Sequence, residues 1–505
     1  MYRHNQKQLE FENFHMPFGG KLRSDNRWVK LAKLIPWQEV EELYSSNLAG
    51  TGKGAPALSS RIALGSLIIK ERLGTSDEET VEQIRENPYL QYFIGLPEYS
   101  DDVIFHSTMF VHFRKRFPAD ELNRINEIIV KKAVVTLKKK KKKRSDDDHE
   151  DPPVNKGKLI VDATCVPEDI NYPTDLKLLN KAREISEQII DVFHKQLPSG
   201  TKKPRTYRRK ARKNYLSISK SRRASLPKIR KAIRKQLGYL GRNVKSIAKQ
   251  NEKVGLSILS KKQYKDLLVI SEVSRQQKWM YENRSRRIDD RIVSINKPHV
   301  RPVKRGKAGS DTEFGAKISA SVVDGFIFSD RISWDNFNES GDLIEQIKTY
   351  RSRKGYYPES VHADKIYRTR TNRKFCKDHG IRMSGPPLGR PPKQTEENKA
   401  EIQAAKKLAR QDEVDRIPIE GKFGVSKRRY SLSRLMTKLS VTSETSVVLT
   451  FLVMNLEKWF KTIFLFLFRV QILRSKKALN ALFLYFMVIS GFKIACQHDR
   501  FLRFI

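Results

Sequence analysis

The stretch EFGAKISASVVDGFIFSDRIS, residues 313–333, holds two runs of alternating apolar residues on either side of Asp324-Gly325. Alternation with a period of two is the pattern of half-buried strands, and an Asp-Gly pair between two such runs is the strongest short signal for a tight hairpin. A hairpin is therefore predicted within a chain of 505 residues. Upstream of it, KLIVDAT (158–164) reads as a short buried strand ending in Asp162, and from about Asp175 to Val293 the periodicity is helical. Downstream come a helix (ESGDLIEQIKTYRSR), a strand (ESVHAD) ending in Asp364, a helix to about His379, a strand (IRMSG), a proline-rich loop and a helix from about Thr395. This order predicts a mixed α/β sheet with helices on its faces and a large helical insertion.

The part before this sheet reads as helices, from about Trp28 to Val135. LSSRIALGSLIIKERLG ends at Gly74, a natural C-cap; TSDEETVEQIREN follows, with Ser76 and Glu79 spaced as a capping box, and stops before Pro88. STMFVHFRKRF, starting at Ser107, carries Arg114, Lys115 and Arg116, charges that suit a recognition helix in a helix-turn-helix-like module; a solvated charged face is the plainer alternative. LKKKKKKRSDDDHEDPP (137–153) cannot bury an apolar face and reads as a linker. From about Met436 the chain is apolar and helical again, and is expected to pack back onto the sheet. The expected layout is a tail at 1–27, a helical domain at 28–136, a charged linker at 137–156, a domain built on the sheet at 157–435 with its helical insertion at about 175–295, and an apolar helical segment at 436–505.

Charge narrows the choice of partner. The chain has 100 Lys plus Arg against 57 Asp plus Glu, a formal +43, and residues 201–250 hold 19 Lys or Arg without an acid. Such a surface binds polyanions through counter-ion release, and its spread along the chain favours nucleic acid over a membrane patch. Within that block Arg208, Arg209, Arg222, Arg223 and Arg234 are candidate phosphate contacts of a helical basic arm. Cys165, Cys376 and Cys496 lie far apart and outline neither a disulfide framework nor a zinc site, which fits a reducing compartment. The amino terminus lacks the apolar core of a signal peptide, and ALFLYFMVISGF (481–492), flanked by Lys476, Lys477 and Lys493, is shorter than the roughly 18 residues of a membrane span. A cytoplasmic, nucleoid-associated protein without membrane contact is expected.

Against this basic background three acids stand out. Asp162 and Asp364 end predicted strands, where ligands of open α/β sheets collect. Glu420 is the single acid of RIPIEGKFGVSKRRYSL (416–432), among Arg416, Lys427 and Arg428. On a helix Glu420 and Lys427 share a face. Pro418 is expected in the first turn of that helix, with Arg416 in the segment before it. Three carboxylates converging would suit Mg²⁺, which takes oxygen ligands and substrate phosphate, and two such ions can clamp the attacking and leaving oxygens of a phosphoryl displacement. The alternative for Glu420 is a surface acid paired with a neighbouring base. Three weaker signals remain: Trp334 for base stacking or core packing, His362 on the same strand face as Asp364, and LGRPPK (388–393) as a minor-groove hook or a plain loop.

DATCVPEDINYPTDLKLLNKAR, GKAGSDTEFGAKIS, YYPESVHADKIYRTRTNRKF, IRMSGPPLGRPP and IEGKFGVSKRRYSL resemble the DDE transposases of bacterial insertion sequences, in the broad insertion sequence four and five group. GAPALSSRIALGSLIIKERLGTSDEETVEQIRENPYLQYFIGL resembles their amino-terminal domain. The resemblance runs in order over about residues 30–455. It implies a ribonuclease H-like catalytic domain in which Asp162, Asp364 and Glu420 are catalytic and hold two Mg²⁺ or Mn²⁺ ions. Arg416 and Lys427 fit the group's third motif, with Glu413 at its tyrosine position; Arg428 and Lys365 flank the site as further DNA contacts, beside Arg114 and Lys115 in the helical DNA-binding domain. The implied partners are double-stranded DNA, both terminal inverted repeats and target, and further copies of the chain in a homo-oligomer. A DNA-binding protein without catalysis, for which Glu413 leaves room, and a general metal-dependent nuclease of the same fold are the alternatives.

Overall fold

The computed structural model describes residues 14–46, 48, 56–142, 155–307, 310–385, 395 and 398–463. The chain opens with helices α1 (Arg27–Ala32), α2 (Trp37–Ser46), α3 (Ser60–Leu73), α4 (Asp77–Glu86), α5 (Pro88–Phe93), α6 (Met109–Arg116) and α7 (Ala119–Lys142). The predicted punctuation holds where it is local. The Ser59 hydroxyl caps α3, Gly74 ends it in the left-handed region at φ 72°, and Ser76 Oγ accepts from Glu79 N at 3.0 Å to start α4. Helix α7 runs on to Lys142, past the expected linker boundary at 137. Lysine is a good helix former, so a helix anchored by apolar residues upstream extends into the run at little cost.

The sheet consists of β1 (Lys158–Pro167), β2 (Arg301–Lys307), β3 (Ser310–Val323), β4 (Phe326–Ser333), β5 (Ser360–His362) and β6 (Arg382–Met383). Between β1 and β2 lie α8 (Asp175–Lys195), α9 (Arg208–Ser219), α10 (Leu226–Val254) and α11 (Lys261–Glu282). Strand β3 is antiparallel to β1, β2 and β4, while β5 is parallel to β1 and β6 parallel to β5. The order β4-β3-β1-β5-β6 therefore puts β1 at the centre, and β2 extends the β4 edge by pairing with the first part of β3. The hairpin turns where it was expected: Asp324 and Gly325 both have positive φ, 52° and 74°, the backbone of a type I′ turn. Two expectations change. Asp162 sits within β1, which continues to Pro167, because β3 pairs with it along its whole length. Strand β2 was not foreseen, since RPVKRGK has no alternating apolar pattern.

Helix α12 (Leu343–Lys354) follows the hairpin, α13 (Arg370–Asp378) links β5 to β6, α14 spans Lys399–Arg429, and a further helix, α15, covers 440–463. Pro418 lies inside α14 and not at its start. Proline removes one i→i−4 bond from a helix, yet the 31-residue element keeps its course, and Arg416 is carried by the same helix as Glu420.

One apolar cluster joins the amino-terminal helices (Trp28, Leu67, Phe113), the sheet (Val161, Ile318, Val361) and α15 (Val447, Phe451). A buried amide pair adds to this seam: Asn455 of α15 accepts from Ile327 N and donates to Ile327 O and to Asn126 of α7. The insertion has a second core, in which Leu179, Ile190 and Phe193 of α8 meet Leu240 and Ile247 of α10 and Ile270 of α11. The apolar run 481–492 and the LGRPPK loop lie outside the described residues. Among the described residues no helix is long and apolar enough to cross a membrane.

Candidate active site

Along β1 every residue from Leu159 to Val166 is buried except Asp162. A carboxylate is thus held in the central strand between β3 and β5. The parallel register pairs Ile160 with His362, so Asp364, two residues past that pair, is level with Asp162, itself two residues past Ile160. Adjacent strands lie about 4.8 Å apart, which makes the two acids neighbours across the sheet. Beyond His362 the strand ends, and Asp364 starts a short 3-10 turn at Lys365–Tyr367, accepting from Lys365 N at 2.8 Å.

The third acid comes from α14. Arg416 donates from Nη1 to Asp364 Oδ1 at 3.0 Å and from Nη2 to Glu420 Oε1 at 3.1 Å. One guanidinium therefore bridges an acid beyond β5 and an acid one turn further along its own helix. Asp162 belongs to the same electrostatic unit. Burial pushes its carboxyl above the usual range; Arg416 pulls it down, and the nearby charges of Asp364 and Glu420 push it up. Asp364 and Glu420 keep 57% and 53% of their side-chain surface exposed, so both are open to a ligand from solvent. Lys427 is half-buried on the Glu420 face of α14, while Arg428 and Lys365 are exposed nearby. A Cβ added at Gly421 would meet nothing within 4 Å, so the helix surface beside Glu420 is open.

Comparison with known families bears on this geometry directly. A model described as "Transposase DDE domain" matches residues 361–457, which include Asp364, Arg416 and Glu420, and one described as "Transposase domain (DUF772)" matches residues 17–116. The chain carries two transposase domains, which together match fewer than half of its residues. It is also similar to the "Uncharacterized protein ORF8 in nfe locus" of Rhizobium meliloti, 29% identical over 157 residues that make up 31% of this chain and 69% of that protein. No solved structure matches.

A DDE domain implies a divalent metal, and the residues present fit one: three carboxylates, oxygen donors only, two of them solvent-facing. A second group of potential ligands lies beside them. His362, Asp412 and Asp415 each offer one atom within 4.8 Å of the others. Its acids are already matched by bases: Arg382 grips Asp412 with two bonds of 2.7 and 2.9 Å, and Lys158 Nζ bonds Asp415 at 2.5 Å. Of this group the sequence pointed only to His362. The missed signal was spacing, because Asp412, Asp415, Arg416, Ile419, Glu420 and Phe423 recur at three and four residues and form one stripe of α14.

The expected DNA contacts divide into two groups. Arg209, Arg222, Arg223 and Arg234 are exposed on the insertion, and Lys115 is exposed on α6. Arg209, Arg212, Lys213, Leu216 and Lys220 line a basic groove along α9. One expectation is corrected. Arg114 is buried, with 7% of its side chain exposed, and binds Asp77 through bonds of 2.6 and 3.2 Å; α6 turns Phe110 and Phe113 into the core and takes Arg114 with them. Arg208 donates to Asp191 at 2.6 Å and to Glu187 O at 2.8 Å within the insertion and keeps 42% of its side chain exposed. Trp334 is held by packing: its indole N–H donates to Glu444 at 2.7 Å and its ring meets His299 edge-on.

Proposed function

We propose that this transposase binds the terminal inverted repeats of its own mobile element, hydrolyses the phosphodiester bonds there, and transfers the freed 3′-hydroxyls to target DNA. The observation that carries the proposal is the convergence of Asp162, Asp364 and Glu420, from three separate segments, around Arg416. The sheet supports a ribonuclease H-like reading, with three antiparallel strands followed by two strands parallel to the first and the acids beside the central one.

In this reading Asp162, Asp364 and Glu420 hold two Mg²⁺ or Mn²⁺ ions, which supply Lewis acidity and an activated water when bound. Arg416 and Lys427 then face the scissile phosphate, and Lys365 and Arg428 hold flanking phosphates. The exposed bases of α9 and α10 follow the duplex and carry the salt dependence of binding. Hydrolysis leaves a 3′-hydroxyl. In the transfer step that oxygen forms one ester bond while another breaks, so the number of phosphodiester bonds is conserved and no external energy source is needed. Joining two ends calls for at least two copies of the chain, acting on DNA in the nucleoid.

The test is cleavage of a duplex that carries the repeats against one that does not, in Mg²⁺. Repeat-dependent nicking followed by joining to a second duplex is the expected result. Cleavage indifferent to the repeats would replace transposition with general nuclease activity, and binding without cleavage would reduce the chain to a DNA-binding protein.

A further inference from the structure

Helix α14 is poorly anchored where it matters most. Its only buried residues are Asp412, Ile419, Phe423 and Ser426, so no apolar side chain before Ile419 is buried. The stretch that carries Glu420 also contains three residues that weaken a helix: Pro418, with no N–H to donate, and Gly421 and Gly424, which gain the most backbone entropy by unwinding. Arg416 and Glu420 nevertheless have to meet Asp364 across the gap to the sheet.

What fixes the helix on the amino-terminal side of Pro418 is ionic, and three adjacent strands supply it. From β6, Arg382 donates to both oxygens of Asp412, which also accepts from Gly385 N at 3.3 Å. From β1, Lys158 donates to Asp415, which also accepts from Gln411 at 3.2 Å. From β5, His362 lies between the two acids, with Nδ1 3.4 Å from Asp412 and Nε2 3.9 Å from Asp415, its side chain fully buried and Nδ1 without a hydrogen-bond partner. Ser360 Oγ lies 3.0 Å from Nε2 on the same strand. Two carboxylates face two cations, so the group is balanced as a clamp and leaves little demand for a metal ion. His362 is also two residues before Asp364, so the cluster touches both arms of the site.

We infer that Asp412 and Asp415, clamped by Arg382 and Lys158 around His362, are positioning residues that latch α14 to the sheet and thereby set Glu420 and Arg416 against Asp364. This rests on the catalytic reading above. The latch acts through Glu420, and its removal loosens metal binding without removing a metal ligand or a DNA contact.

The experiment compares the full-length chain with Asp412→Asn, Asp415→Asn and the charge swap Asp412→Arg with Arg382→Asp, by hydrogen exchange and by Mg²⁺ titration of cleavage on repeat DNA. For both single variants exchange in 405–422 should speed at least tenfold while α3 stays as in the parent. Half-saturating Mg²⁺ should rise severalfold with DNA affinity unchanged, and the swap should recover part of both losses. Parental exchange in α14 in both single variants, or faster exchange throughout the chain in the milder Asp415→Asn, would overturn the latch. Because exchange is read without cleavage, a parent that fails to cleave counts against the transposition reading alone, and the exchange result still decides the latch.

Discussion

Replacing Asp330 with asparagine should stabilise the fold at neutral pH and leave it unchanged in acid. Asp330 lies on β4 with 9% of its side chain exposed, accepting from Ser321 at 3.0 Å and from Gln346 at 2.7 Å, with Arg353 4.0 Å away. Burial pushes its carboxyl up from 3.8 to about 6, and the one nearby cation offsets only part of that. The folded state therefore keeps the proton longer than the unfolded chain. Below pH 3.8 the group is protonated in both states and costs nothing. Between 3.8 and about 6 the unfolded chain ionises first, so stability falls as pH rises, and above about 6 the loss is complete. At 1.36 kcal/mol per pH unit the gap is worth up to about 3 kcal/mol. Asparagine keeps the shape and can accept from one partner while donating to Ser321; the gap already includes the pull of Arg353 and is an upper figure, so a net gain of about 1–2 kcal/mol is expected at pH 7.5. The assay is the difference in melting temperature between parent and Asp330→Asn, followed from pH 4 to 8. It should grow from near zero to a plateau of about 1–2 °C. A difference that is constant with pH, or a variant less stable at pH 7.5, would refute the reasoning.

Asp162→Asn, Asp364→Asn and Glu420→Gln should each lower Mg²⁺-dependent cleavage by more than the roughly 10–100-fold that loss of a supporting contact costs, while filter binding to the repeats survives; a variant that still transposes would remove its residue from the site. Arg114→Ala should cost about 2 kcal/mol of stability, because it removes the two-bond partner of a partly buried Asp77 and leaves that acid with Lys70 alone, and should leave DNA affinity as it was. Lys115→Ala should do the reverse in thermal melts and filter binding, and a shared phenotype would return Arg114 to the DNA contacts. Neutralising Arg209, Arg212, Lys213 and Lys220 should flatten log affinity against log salt by about 3 to 4, whereas an unchanged slope would mean the α9 groove faces away from DNA.

How much of this was legible beforehand depended on range. The Asp324-Gly325 turn, the Gly74 stop and the Ser76 start are decided within a few residues, and the structure has them as read. The three acids were legible as residue types against a basic background, but their meeting is set by the β1–β5 register and by where α14 crosses it. Pro418 misled because local propensity marks a helix start, whereas the tethers of α14 to three strands keep the helix continuous through it. Arg114 misled for a related reason: charge on a short helix suggests a surface, but burial of Phe110 and Phe113 turned it toward Asp77. The latch itself was invisible, since Lys158, His362, Arg382 and the pair Asp412 and Asp415 come from four distant segments.

Which carboxylates hold the metal decides the mechanism, and counting bound Mn²⁺ by electron paramagnetic resonance in the complex with repeat DNA, corrected for DNA alone, measures that directly. Two ions per chain are predicted for the parent, with at least one lost in each of Asp162→Asn, Asp364→Asn and Glu420→Gln, and both kept at saturation in Asp412→Asn. An unchanged count in the first three variants, or a loss confined to Asp412→Asn, would contradict it and move the metal to the cluster around His362.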